Sequence, residues 1–441
     1  MTPAAVAGSS ASSGSPTDTS GAGAVVFRNA AWSLVGNAAF AACQWGVVVV
    51  LARRSGTVEL GRYALAAAVT APIVLLFNCA LRTVQAADVE RRYAFADYLG
   101  FRTLSLAAAA TAILIAAPIV AVDRATFIVL LIVGLGKLIE AGADLLHGLL
   151  WQRERLEAVG KSQLLRGAMM LGGALLATQI GGGAALVAAF GAVAALLVTL
   201  VYDLPTVQAA LPVADRSLRR LLRPRWVAAQ LKSLARLTLP LGVTVLLGTL
   251  IFNMPRYAVQ NSLGTEALGV FAALAYFALA GNLVATSLAQ AAMPGWSRLH
   301  AAGSHRVFRR AVARQAVGVG VLGLIGVLIA QQFGGPLLGL LYGPSFAAHG
   351  AVFTILMAAT ACGMVVCVLD HGLYAAQRFH VQVPLNLAVV AVTAVACIWA
   401  TPHFGLVGAA WATLGSMAAG ILLRMPLVFA GGSPSLRRAD A

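Results

Sequence analysis

Apolar residues along this chain recur in stretches of about 20 residues, separated by short polar or glycine-rich breaks. An α-helix of that length crosses the ~30 Å hydrocarbon core of a bilayer, and a soluble protein does not contain a succession of them. The pattern therefore predicts an all-α polytopic membrane protein. By apolar length and punctuation we place about twelve spans, at residues 29–52, 62–84, 98–122, 125–150, 161–180, 184–205, 234–259, 267–294, 309–333, 345–370, 381–401 and 406–430.

The two halves of the chain carry the same short motif at the same place. Residues 56–64 read GTVELGRYA after the first span, and residues 264–272 read GTEALGVFA after the seventh. A weaker match repeats Gly-Ala-Ala at 183–185 and 408–410. Repeated halves are typical of transporters that hold a substrate between them. We therefore predict five parts: a disordered tail (1–24), an N-terminal six-helix lobe (25–206), a basic cytoplasmic linker (207–233), a C-terminal six-helix lobe (234–430) and a C-terminal tail (431–441).

The positive net charge of the chain has a different interpretation once the spans are placed. Only 10% of residues are charged, yet the formal net charge is +16, which in a soluble protein would suggest nucleic acid. Here the arginines fall in alternate loops between spans, as the positive-inside rule requires, so we expect no nucleic-acid partner and two cytoplasmic termini in a bacterial inner membrane. The linker is interpreted as a topogenic loop; an amphipathic segment on the anionic leaflet is the less favoured alternative.

The fourth span contains an unusual set of ionisable residues, at offsets of three, four and three, which places them on one helical stripe: Lys137, Glu140, Asp144 and His147. One ion pair can form on this stripe, and one carboxylate is left over. Such residues are costly in a membrane and point to function. Two interpretations stay open: the stripe couples transport to a proton or cation, with Asp144 or Glu140 as the titrating group, or, as we favour, it hydrates the cavity without coupling.

Several segments resemble one superfamily of membrane transporters. Residues 56–88, which include LGRYALAAAVTAPIVLLFNCALRTVQAAD, and residues 252–299, which begin FNMPRYAVQNSLGTEALGVF, resemble polysaccharide-biosynthesis (Wzx-type) flippases of the multidrug/oligosaccharidyl-lipid/polysaccharide (MOP) exporter superfamily. The segments LLYGPSF at 340–346 and GLVGAAWAT at 405–413 are similar to further parts of that family. The resemblance implies a V-shaped pair of six-helix lobes that flips an undecaprenyl-diphosphate-linked oligosaccharide by alternating access. It also implies membrane lipids as surroundings, and a polymerase and glycosyltransferases of the same pathway as partners.

A diphosphate substrate requires cations along its path, and arginine suits phosphate because it donates two hydrogen bonds at once. Arg82, Arg166 and Arg256 are the candidates, with snorkelling to the interface as an equal alternative; Pro255 is expected to break the helix beside Arg256. For Arg28, Arg102 and Arg424 snorkelling is the favoured interpretation. Four asparagines are candidates for sugar contact or for bonds between helices: Asn78, Asn253, Asn282 and Asn386.

No catalytic motif, phosphate-binding loop or metal-ligand spacing is present in the sequence, so we predict a transporter without a cofactor. The five cysteines all lie in apolar segments and are interpreted as packing residues. Two alternatives within the superfamily are a cation-coupled drug exporter and a peptidoglycan-precursor flippase. Outside transporters, a membrane-embedded glycosyltransferase or polymerase is disfavoured, because the loops on the non-cytoplasmic side are too short for a catalytic site.

Overall fold

The computed structural model describes residues 19–88, 90–211, 217 and 221–429, with side chains from residue 31 onward. Most of the predicted N-terminal tail, part of the linker and the C-terminal tail lie outside these residues, as does the side chain of Arg28. The first helix begins at Thr19, inside the segment predicted as a tail. Where the structure describes the chain, it is helical with short connections, as the apolar pattern predicted.

The described part of the N-terminal half, residues 19–211, contains eight α-helices, two of which are short. They are α1 (Thr19–Arg54), α2 (Gly56–Asn78), α3 (Leu81–Ala87), α4 (Phe95–Val120), α5 (Arg124–Gln152), α6 (Leu156–Gln179), α7 (Ala184–Val198) and α8 (Leu204–Ala210). A π-helical turn, Thr199–Asp203, joins α7 to α8 without a break. Positive-φ residues end several elements: Cys79 and Ala80 separate α2 from α3, and Gly181 separates α6 from α7.

Residues 228–429 of the C-terminal half form five longer helices. They are α9 (Ala228–Ala275), α10 (Phe277–Ala301), α11 (His305–Tyr342), α12 (Gly350–Ala375) and α13 (Gln382–Phe429). Two of them bend at a glycine with positive φ, α9 at Gly264 (φ 85°) and α13 at Gly405 (φ 61°). Each bend lies where the sequence separated two spans, so α9 and α13 each contain parts of two predicted spans. The helix continues through Pro255, so the expected break beside Arg256 is wrong.

Nine described helical segments are long and apolar enough to cross a membrane. Two of them exceed 50 residues because they run through bends, and α6 is too polar to be among the nine. The protein is thus a multi-pass membrane protein with a helical bundle, while the count of about twelve spans stays a prediction. The polarity of α6 has a structural reason, because it carries Ser162, Gln163 and Arg166 toward the interior of the N-terminal lobe.

The two lobes meet at the end where the repeated motif lies. Both copies make the same turn, since Gly56 and Gly264 share φ 85°. One apolar core joins residues of both lobes there, with Leu60 and Leu65 of α2 beside Leu268 and Phe271 of α9. The motif noticed in the sequence is therefore a structural repeat at the lobe interface.

Candidate functional site

The N-terminal lobe encloses a polar cavity of about 700 Å³ whose wall contains the predicted stripe of the fourth span. Lys137, Glu140, Asp144 and His147 of α5 all line it, as their helical spacing predicted. The remaining polar lining comes from α2 and α6, through Asn78, Gln163 and Arg166. Three helices thus bring polar and ionisable side chains to one space.

The first pair on the stripe is formed as expected. Lys137 Nζ donates to Glu140 Oε2 at 2.8 Å, one helical turn away. Both side chains keep a quarter to a third of their surface exposed, so the pair faces the cavity. Each of these two charges therefore has its partner on its own helix.

Asp144 is not the unpaired carboxylate that the sequence suggested. Arg82 of α3 pairs with Asp144 at 3.0 Å and lies over the ring of Trp151, 5.2 Å from its centroid. Arg102 of α4 approaches the same carboxylate at 4.0 Å and donates to Asn78 Oδ1. Snorkelling was the wrong expectation for Arg102, which is 1% exposed. Its partners, Asn78 and Asp144, come from α2 and α5, and no local sequence pattern predicts these contacts.

A third polar group lies deeper in this lobe and centres on Asp203, which sequence reasoning missed. Asp203 is fully buried and accepts from Arg166 at 3.0 Å, and His147 Nε2 lies 3.4 Å from its other oxygen. His147 also contacts Ser162 at 3.3 Å. The π-helical turn that ends at Asp203 is a feature often found at functional sites. Arg166 is thus held in an ion pair in this conformation and does not reach the interface.

The C-terminal lobe presents Arg256 to a cavity of about 620 Å³, which Asn282 also lines. Arg256 Nη1 donates to Asn253 Oδ1 at 2.8 Å, and Asn253 in turn donates to the carbonyl of Thr249 at 2.9 Å. Asn253 is 4% exposed, so it orients Arg256 and is not exposed for sugar contact. No carboxylate of the described residues pairs with Arg256, and its Nε is buried without a hydrogen-bond partner.

A second cavity of this lobe, about 870 Å³, is lined by a polar triad whose arginine and asparagine are buried. Arg424 Nε donates to Asp370 Oδ1 at 2.6 Å, and Nη2 donates to Asn386 Oδ1 at 2.7 Å. Snorkelling is wrong for Arg424 too, because the residue is 2% exposed. Asp370 is held by this pair, while the neighbouring His371 contacts the carbonyl of Cys367 at 2.8 Å.

The charged stripe and Arg256 belong to one central region. Tyr276, between α9 and α10, lies within electrostatic range of Arg256 on its own lobe and of Lys137 and Glu140 on the other. Among the described residues of both lobes, most of the buried or cavity-lining cations discussed above have a carboxylate partner. The pairs include Arg102–Asp144, Lys137–Glu140, Arg166–Asp203 and Arg424–Asp370. Arg256 has no such partner, so the central region contains one uncompensated positive charge.

One end of this path is closed by a reciprocal contact between the two motif copies. A Cβ built on Gly61 would lie 1.9 Å from the carbonyl oxygen of Thr265, and one built on Gly269 would lie 2.0 Å from the carbonyl oxygen of Thr57. Only glycine permits backbones to approach this closely. Thr57 Oγ1 also donates to Glu266 Oε1 at 3.2 Å. The same two positions of the repeat therefore seal the lobes against each other.

Aromatic and basic side chains close the same end on the other side of the bundle. Trp45 Nε1 donates to the hydroxyl of Tyr342 at 2.8 Å, and that hydroxyl donates to the carbonyl of Ala273 at 3.0 Å. Arg53 Nε donates to the carbonyl of Leu341 at 2.7 Å, at the end of α11. These contacts join α1 to the C-terminal lobe, so opening this end would have to break them.

Comparison with known sequences gives one relative at low identity. The chain is 23% identical over 384 residues to the capsular polysaccharide biosynthesis protein CapF of Staphylococcus aureus, covering 87% of this chain and 94% of the relative. No family model matches the chain.

Comparison with solved structures identifies the fold. An inward-facing multidrug-resistance MATE-family transporter of the MOP superfamily superposes with a TM-score of 0.71 at 13% identity, covering 88% of this chain and 94% of that one. The lipid II flippase MurJ, in an inward closed conformation, also gives 0.71 at 12% identity, covering 89% and 86%. An outward-facing MATE transporter gives 0.60 at 13% identity, covering 92% and 95%. The chain has the fold of MOP-superfamily transporters, as the sequence resemblance implied, and it is more similar to the inward-facing MATE structure than to the outward-facing one.

Proposed function

We propose that this protein is a flippase that moves an undecaprenyl-diphosphate-linked oligosaccharide across the bacterial inner membrane by alternating access. Arg256 is the observation that carries the proposal. It is a cation that faces a cavity, it is oriented by Asn253, and it has no carboxylate partner among the described residues. A guanidinium held in this way can form two parallel hydrogen bonds with a phosphate.

The unpaired charge of Arg256 supports an anionic substrate. Keeping an unpaired cation in a membrane interior is costly, so a ligand of opposite charge is the physical reason to retain it. A lipid-linked diphosphate supplies that charge. The curated relative named for capsular polysaccharide biosynthesis and the fold shared with the lipid II flippase MurJ support the same substrate class.

Alternating access gives the closed end a role. The reciprocal glycine contact closes one end of the path, and we assign that end to the extracytoplasmic side because the loops at the other end carry the basic excess. The substrate would enter from the cytoplasmic leaflet, and the lobes would then separate at the glycine contact to release it. The Lys137–Glu140 pair is proposed as the site of ion coupling, and Arg82 and Arg166 as residues that support the diphosphate path.

A cation-coupled drug exporter is the second candidate, because the MATE transporter superposes as well as MurJ does. The uncompensated positive charge of Arg256 argues against it, since a cationic drug would be repelled from this cavity.

The decisive experiment measures translocation by the purified protein in proteoliposomes. One assay follows a fluorescent polyprenyl-diphosphate oligosaccharide, and a parallel assay follows ethidium. We expect flipping of the lipid and no ethidium transport. Ethidium transport without lipid flipping would overturn the assignment.

Arg256→Ala tests the residue directly. Loss of hydrogen bonds to a charged group costs about 1.5–3 kcal/mol, which corresponds to roughly a 10- to 150-fold slower flipping rate. Arg256→Lys retains the charge, and its flipping rate is expected to lie between those of the wild type and Arg256→Ala. Arg124→Ala, at an exposed arginine outside the cavities, is the matched control and should leave the rate unchanged. An equal rate in Arg256→Ala and the control would remove Arg256 from the diphosphate path.

A further inference from the structure

The C-terminal lobe has a rim of arginines at the end opposite the glycine contact, where α10 joins α11 and α12 approaches α13. We call this set the C-lobe rim; it consists of Arg298, Arg306, Arg309, Arg310, Arg314 and Arg378. Residues 228–429 contain only two carboxylates, Glu266 and Asp370. Glu266 lies at the other end beside Thr57, and Asp370 is paired with Arg424. The six arginines of the rim therefore have no carboxylate partner within this part of the chain.

The corresponding end of the N-terminal lobe is different. It also carries basic residues, but acidic residues stand among them, and several are paired: Arg92 with Glu90 at 2.9 Å, Lys161 with Glu157 at 2.7 Å, and Arg225 with Asp97 at 3.1 Å. The positive-inside rule requires basic residues in the cytoplasmic loops of both lobes and does not depend on acidic residues. The N-terminal end is therefore partly neutralised by ion pairs that the C-lobe rim lacks, and topology alone does not explain this difference.

The geometry of the rim suits a layer of anionic groups. Arg306, Arg310 and Arg314 are exposed and four residues apart, so they form one stripe along about 12 Å of α11. That distance spans the headgroup region and the start of the acyl layer, where arginine side chains extend toward phosphates. Two further arginines are fixed by the end of α13: Arg309 donates to the carbonyl of Phe429 at 2.7 Å and Arg378 to that of Leu427 at 2.6 Å.

These two fixed arginines flank a concavity of about 390 Å³ that His300 and His305 also line. The two imidazole rings are 5.0 Å apart. The concavity adds two hydrogen-bonding rings beside the guanidinium groups, next to the exposed stripe. A phosphate in this concavity would meet donors from several elements of the lobe.

We propose that the C-lobe rim is a binding surface for the headgroups of anionic phospholipids in the cytoplasmic leaflet. This leaflet has a negative surface potential, and the rim lies at the end that the basic loops assign to the cytoplasm. Binding would anchor the C-terminal lobe to the leaflet through this rim. The inference concerns lipid and does not depend on the transported substrate.

The test uses full-length protein in bilayers of phosphatidylcholine that contain spin-labelled phosphatidylglycerol or spin-labelled phosphatidylcholine. The immobilised fraction gives the relative association of each lipid. We expect wild-type protein to associate with phosphatidylglycerol more strongly than with phosphatidylcholine. In the triple variant Arg306→Gln/Arg310→Gln/Arg314→Gln, this preference should fall by about fivefold for each arginine removed. The matched control Arg91→Gln/Arg92→Gln/Arg155→Gln, at three exposed arginines of the N-terminal lobe, should change it by less than about twofold, since Glu90 and Glu154 lie beside these arginines in the chain and offset part of their charge.

Three further measurements distinguish loss of charge from altered folding, electrostatic from other binding, and phospholipid from polyprenyl diphosphate. The corresponding triple lysine variant retains the charge and should retain the preference, which separates loss of charge from altered folding. Raising the salt concentration to about 0.5 M should weaken the preference of the wild type through screening. A polyprenyl diphosphate offered in the same bilayers distinguishes the source of the phosphate. Equal lipid preference in the rim variant and the control would overturn the proposal, and so would loss of polyprenyl-diphosphate binding with phosphatidylglycerol preference intact. The lipid-flipping assay of the wild type is independent of either result.

Discussion

In the N-terminal lobe the buried acid, Asp203, lies on the last span and its basic partners, His147 and Arg166, come from α5 and α6. In the C-terminal lobe the polarity is reversed, since the last arm of α13 carries the base, Arg424, and α12 carries the acid, Asp370. The glycine contact shows no such reversal, because both copies use the same residue in the same way. A backbone contact that only glycine permits leaves no freedom, whereas a buried ion pair needs only mutual compensation. The lobes therefore share a scaffold and differ in their chemistry.

The symmetric part of this comparison is tested at the two glycines of the closing contact. Gly61→Ala and Gly269→Ala each place a methyl group against a backbone carbonyl that cannot move aside. Overpacking costs about 1–3 kcal/mol, which shifts the closed population by roughly 5- to 150-fold. We expect both variants to slow flipping by the same factor, and a spin-label distance between positions 57 and 266 to lengthen.

Gly172→Ala and Gly415→Ala are the controls, because no heavy atom lies within 4 Å of a Cβ at either position. Both should flip lipid at the wild-type rate. If Gly61→Ala and Gly269→Ala behave like these controls, the two motif copies do not form the closing contact.

The ion pairs of Asp203 and Asp370, whose polarity is reversed between the lobes, test the asymmetric part of the comparison. Asp203→Asn leaves Arg166 buried without its carboxylate, and removing one partner of a buried pair costs about 3–5 kcal/mol. Asp370→Asn should lower the free energy of unfolding by less, because the Asp370 side chain is 22% exposed and water can take the place of its carboxylate. Thermal unfolding in detergent measures the stability of both variants.

The double variant Arg166→Gln/Asp203→Asn should recover part of the stability that Asp203→Asn loses, since no charge stays uncompensated. A double variant less stable than either single one would show that Asp203 is not held chiefly by Arg166.

A smaller effect is expected at the proposed coupling site, the Lys137–Glu140 pair of the N-terminal lobe. Asp144 is shared by Arg82 and Arg102, whereas Glu140 has only Lys137. Glu140→Gln should abolish any acceleration of flipping by a proton or sodium gradient, with the rate without a gradient kept within about twofold. Flipping assays with and without each gradient measure this, and an unchanged gradient response would favour the hydrated-face interpretation.

The smallest effect concerns the loop between α4 and α5 in the N-terminal lobe. Hydrogen bonds from Thr126, together with the ion pair to Arg62, lower the pKa of Asp123 to about 2. The folded-state pKa lies below the unfolded value of about 3.9, so this stabilisation is present above pH ~4 and is lost as the pH falls through about 2. The Asp123 side chain is 45% exposed, so we expect less than about 1 kcal/mol.

Melting temperatures of the wild type and of Asp123→Asn at neutral pH and at about pH 3 give the measurement. The variant should lose less stability on acidification than the wild type, because an amide at this position has no charge to lose and still accepts the hydrogen bond that caps α5. Identical acid sensitivity would exclude Asp123 as a contributor.

Local spacing made part of the site predictable. The stripe Lys137, Glu140, Asp144 and His147 follows from helical periodicity, and all four line one cavity. The repeated Gly-Thr motif marked a symmetric element before its contacts were known. The partners of Arg102, Arg424 and Asp203 were not predictable, because each is supplied by a helix far away in the chain.

The sequence by itself determined that the chain is a multi-pass helical membrane protein with a repeated architecture, because the apolar runs and the repeated glycine turns are local properties. The tertiary structure decided which charges are paired, which end is closed, and that α9 and α13 are each kinked at a glycine with non-helical backbone angles, Gly264 and Gly405. A buried charge is stable only if another helix brings a partner within hydrogen-bond distance. That distance is fixed by the packing of the lobes and is not encoded in any single span.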